Sequence, residues 1–168
     1  MSPAIGQALS GLGARVHDLE PTLDEDGARD WAGAVAPLHA LVFDAAPTFG
    51  DGGQAHLAAA LEAAWVAMRG VATGALIPTG AGKIVLIAPR PAGGSFSSAA
   101  RAALENLSRT LSVEWARYGV TVVAMGPGAR TTDAELAELV CYLVSMAGDY
   151  FTGCLFELGG GPQLIQTS

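Results

Sequence analysis

The sequence predicts an α/β fold in which one parallel sheet carries helices on both faces. Three observations predict it. Short apolar runs at 40–44, 83–88 and 120–125 lack polar alternation, as strands buried on both sides do. Segments of helical period separate them; the clearest is 97–117, where Ala100, Ala103, Leu104, Leu107, Leu111 and Trp115 recur at spacings of three and four. Strand and helix signals alternate throughout 1–168 with no repeat, low-complexity segment or linker, so the chain reads as a single domain.

Each element has a local reason. Residues 4–12 set Ile5, Ala8, Leu9 and Leu12 along one side of a short helix that Gly13 stops. Residues 14–19 read as a strand. Residues 20–37 hold a cluster of acids and two prolines, and read as a loop and a short helix at 26–35. Asp24, Glu25 and Asp26 suit that helix's positive start. The 47–53 stretch is rich in turn formers, and 54–76 is a long helix. Gly119 ends the 97–117 helix, and Gly126-Pro127-Gly128 turns the chain after the 120–125 strand. Thr132-Asp133-Ala134-Glu135 is a capping box that opens a helix carrying Leu136, Leu139, Val140 and Leu143, closed by Gly148. A last strand at 153–158 leads into Gly159-Gly160-Gly161-Pro162, read as a tight turn, and a polar tail.

Composition narrows the function. The formal charge is −7 with no block of like charges, which argues against a nucleic-acid partner. Charged residues are only 15%, against roughly 25% in an average soluble domain, so part of the apolar surface is expected to be covered by another subunit. Cys141 and Cys154 fit no metal spacing and read as small buried hydrophobes. Glu62 and Arg69 argue against a membrane span in the long helix, and no basic-plus-apolar leader is evident, so the expectation is a cytoplasmic protein. His17, His39 and His56 show no paired acid or metal-like spacing, and Glu20 reads as an exposed charge. No Ser-His-Asp or Cys-His arrangement emerges.

A family resemblance rests on motifs in order. Lys83-Ile84-Val85-Leu86-Ile87 precedes a helix containing Ala102-Ala103-Leu104 and Glu114-Trp115-Ala116-Arg117-Tyr118-Gly119-Val120. Pro127-Gly128-x-x-x-Thr132, Thr152-Gly153 and Gly159-Gly160 follow. Across 4–161 this resembles the short-chain dehydrogenase/reductase family. The resemblance implies a Rossmann-like parallel sheet flanked by helices, in a reduced form of about five strands. The family's first strand is expected to be missing, with the 14–19 strand beside the 40–44 strand unless a partner chain supplies another. The substrate-covering segment after Thr132 is shortened.

The resemblance also implies which chemistry to look for, and the expected groups are absent. In the family's catalytic helix the tyrosine position holds Ser97 and the lysine position holds Arg101. A serine hydroxyl titrates too high to replace a phenol, and a guanidinium does not release its proton. Ala88-Pro89 stands where the family has its serine, Trp65 falls near its helix asparagine, and its Asn-Ala-Gly motif reads Asp44-Ala45-Ala46. Gly6 matches only the last part of the family's glycine-rich cofactor turn, leaving Gly6, Pro127, Gly128 and Thr132 as remnants of a cofactor site. The expectation is therefore a non-catalytic subunit with no cofactor. Ser97 and Ser98 are read as helix caps, and Arg101 as a solvated or interface residue. Its partner is itself or an active short-chain dehydrogenase, in a dimer or tetramer formed through the 54–76 and 97–117 helices. That interface is expected to carry Ala60, Ala64, Met68, Ala100, Ala103, Leu104, Leu107, Leu111 and Trp115. An NAD(P)-dependent oxidoreductase completed by another subunit, and a module binding a small or acyl ligand, are the alternatives.

Overall fold

The computed structural model describes residues 1–159, so Gly160, Gly161 and Pro162 of the expected terminal turn lie outside the described residues. Four strands, β1 (Ala40–Asp44), β2 (Gly82–Ile87), β3 (Val120–Pro127) and β4 (Leu155–Leu158), form one parallel sheet in the order β1-β2-β3-β4. In register, Leu41 lies opposite Ile84, Ile84 opposite Val122, and Ala124 opposite Leu155. The expected strand at 14–19 does not form; those residues are extended but join no ladder. Val16 and Leu19 pack against opposite core clusters, so this stretch is held by its side chains. Its sequence has strand propensity, but a strand also needs a hydrogen-bonded neighbour.

Residue alternation along β2 and β3 sorts the helices. Ile84, Leu86, Val122 and Ala124 point to one face, covered by α4 (Gln54–Val71) and α6 (Ser97–Trp115), with α2 (Glu25–Val35) packed on α4. Val85, Ile87, Val123 and Met125 point to the other, covered by α1 (Pro3–Gly11) and α7 (Asp133–Val144). The chain steps the same way across the sheet each time, yet α4 and α6 cross on one face and α7 on the other. With the first two taking the usual right hand, the β3-α7-β4 crossover is left-handed.

A four-residue helix, α3 (Ala46–Phe49), occupies part of the expected 47–53 loop and buries Phe49. The long helix runs beyond its expected end, through a π turn at Ala72–Leu76 into α5 (Ile77–Thr79). Gln54–Thr79 is long and apolar enough by composition to cross a membrane, yet Ala64, Met68 and Val71 pack it against the sheet. Gly70 lets α2 lie close: a Cβ there would fall 2.5 Å from that of Ala28.

Candidate functional site

In open parallel sheets, ligands gather beyond the carboxyl ends of the strands. Here that region is filled by two arginines. Arg101, on the second turn of α6, is only 14% exposed and reaches over the strand ends. Its Nη1 donates to the Pro89 carbonyl at 3.0 Å and the Pro127 carbonyl at 2.9 Å, and its Nη2 meets Glu157 at 2.6 Å. One guanidinium thus joins the ends of β2, β3 and β4. Gly126 makes room for it: a Cβ there would lie 2.6 Å from Nη2. Arg90 makes a second tie, donating to the carbonyls of Gly128 and Thr131 and pairing with Asp133 at 3.0 Å.

Ser97 and Ser98 do not cap α6. Phe96 occupies the N-cap, and the buried Ser97 hydroxyl, inside the first turn, donates back to the Gly94 carbonyl at 2.8 Å. Nor is Arg101 solvated. The loop before α6 offers Ser97 the Gly94 carbonyl, while Arg101 finds its acceptors at Pro89, Pro127 and Glu157, which helix-end statistics do not foresee. Trp65 lies on the outer side of α4, 39% exposed, with the Arg69 guanidinium 5.3 Å from its ring centroid. Pro89 is buried and contributes only its carbonyl.

Gly6 sits within α1, where a Cβ would meet nothing closer than 3.6 Å. Gly128 does enforce a close approach, since a Cβ would fall on the Leu158 carbonyl. The turn is latched by Thr131, whose hydroxyl accepts from the Gly128 amide and donates to Leu158. Thr132 makes the expected capping box. The Thr132 amide and hydroxyl both donate to Glu135, which holds that carboxyl below its ordinary range.

Of the histidines, His56 does have a paired acid, contrary to the expectation from spacing. Its Nδ1 lies 2.5 Å from Asp51, five residues back across the start of α4. The Gly53 amide, and then His56, lower the Asp51 carboxyl below its usual value. Both side chains are largely exposed. Burial pushes the thiols of Cys141 and Cys154 up, away from reactivity.

The small-residue stripe expected at an interface faces inward. Ala60, Ala64, Met68, Ala100, Leu104, Leu111 and Trp115 are buried inside the chain, and Ala103 and Leu107 are half-buried. The outer faces of α4 and α6 present Ala58, Ala59, Ala99, Ala102 and Val113 instead. Arg90, Glu157 and Thr131 were missed in the sequence. Glu157 carried a signal, as the one charge in an apolar strand.

No family model matches the chain. A curated galactitol 2-dehydrogenase (L-tagatose-forming) of Cereibacter sphaeroides is 29% identical over an alignment covering 52% of this chain and 48% of that protein. The matched region is thus about half the length of that relative. A short chain dehydrogenase/reductase family oxidoreductase from Burkholderia thailandensis superimposes with a TM-score of 0.69 and 20% identity, over 94% of this chain and 78% of that one. A citronellol catabolism dehydrogenase from Pseudomonas aeruginosa PAO1 gives a TM-score of 0.66 and 22% identity, over 90% and 75%. The chain has the short-chain dehydrogenase/reductase fold. A hydroxysteroid dehydrogenase from Escherichia coli, at TM-score 0.67 and 20% identity over 85% and 73%, shares it.

Short-chain dehydrogenases usually bind NAD(P), and the place for it here would be the cleft among the strand ends and α1. It is a half-open groove of about 350 Å³ bordered by Met1, Ser2, Pro3, Asp44, Arg90 and Asp133. Asp44 and Asp133 would set carboxylates toward a pyrophosphate, and Pro3 supplies no N–H in the first turn of α1. Arg90, which also lines the cleft, is already held by Asp133 and two carbonyls. The residues present do not fit a pyrophosphate.

Proposed function

We propose that this chain is a non-catalytic short-chain dehydrogenase-like subunit that works through assembly, with itself or with an active member of that family. The observation that carries the reading is Arg101. At the position the resemblance gives to the catalytic lysine stands a guanidinium already bonded to Pro89, Pro127 and Glu157. A side chain with three partners at the strand ends is spent on holding the fold. Pairing would use the outward alanines of α4 and α6, whose small side chains let helices approach closely. The protein is expected to be soluble and cytoplasmic.

A second reading, an oxidoreductase using NAD(P), is favoured by the likeness to the galactitol 2-dehydrogenase and stands against the poor fit of the strand-end cleft to a pyrophosphate. Native mass spectrometry of the full chain, alone and co-expressed with an active short-chain dehydrogenase, separates the two when NADH and NADPH are added. The assembly reading expects an oligomer or mixed complex in which dinucleotide mass resides on the active partner alone. Dinucleotide on this chain would replace it with the second reading. A chain that stays monomeric and leaves the partner's activity unchanged would remove it. Ala102→Arg, on the exposed face of α6, should lower the oligomer fraction while leaving the far-ultraviolet circular dichroism of the chain unchanged.

A further inference from the structure

We draw no further inference here: the strongest candidate, the half-open groove of about 520 Å³ between the start of α7 and β4, bordered by Arg130, Glu135, Leu139, Phe156 and Glu157, carries none because nothing in the structure shows what covers it.

Discussion

The interior of the sheet and its carboxyl end are built by opposite means. On the interior face, Leu86, Val122, Met68 and Leu104 meet through apolar contact that tolerates small shifts and needs no single partner. At the carboxyl end, Arg101 joins residues 89, 127 and 157 by directed bonds, and Arg90 joins 128, 131 and 133. Packing on one side is distributed, and on the other it converges on two side chains. Where relatives of this fold handle ligands, this chain has placed structural ties.

Four perturbations break or sharpen that contrast. Leu86→Ala opens a cavity in the fully buried interior and should cost about 2–5 kcal/mol in urea unfolding. Arg101→Met should cost roughly 2–4 kcal/mol, chiefly by leaving the Pro89 and Pro127 carbonyls without a donor. Pairing it with Glu157→Gln in a double-mutant cycle should give a coupling of only about 0–1 kcal/mol, because Glu157 is 57% exposed. A coupling larger than the whole effect of the carbonyls would move the tie from backbone to ion pair.

Thr132→Ala removes one half of the capping box and should cost about 1 kcal/mol. The smallest effect is of pH. The carboxyls of Glu135 and Asp51 are lowered in the folded chain, so their contribution is present at neutral pH. It is lost as pH falls through those lowered values. Protection of the Thr132 and Gly53 amides, measured relative to the intrinsic exchange rate at each pH, should fall in acid, and Glu135→Gln should abolish that response at Thr132.

What could be read from the sequence follows the same division. The strands at 40–44, 83–88 and 120–125, the helices and the capping box are set by neighbours within a few residues. Their periods and end signals stood in plain view. The site depends on contacts 12, 26 and 56 residues away from Arg101, which no local pattern encodes. The 14–19 segment failed for a related reason, since propensity does not say whether a neighbouring strand lies within reach. The interface stripe misled because alanine-rich helices look alike on both sides, and only packing decided that Ala60 and Ala64 face inward.

The most direct test of the central claim is equilibrium titration of NADH and NADPH onto the full chain, followed by nucleotide fluorescence. No saturable signal is expected for the unaltered protein, nor for Arg101→Lys, which restores the amine but not the carboxylate-free cradle that a pyrophosphate needs. Saturable binding by the unaltered chain would mean that the arginine-tied end of the sheet still opens for a cofactor, and would contradict it.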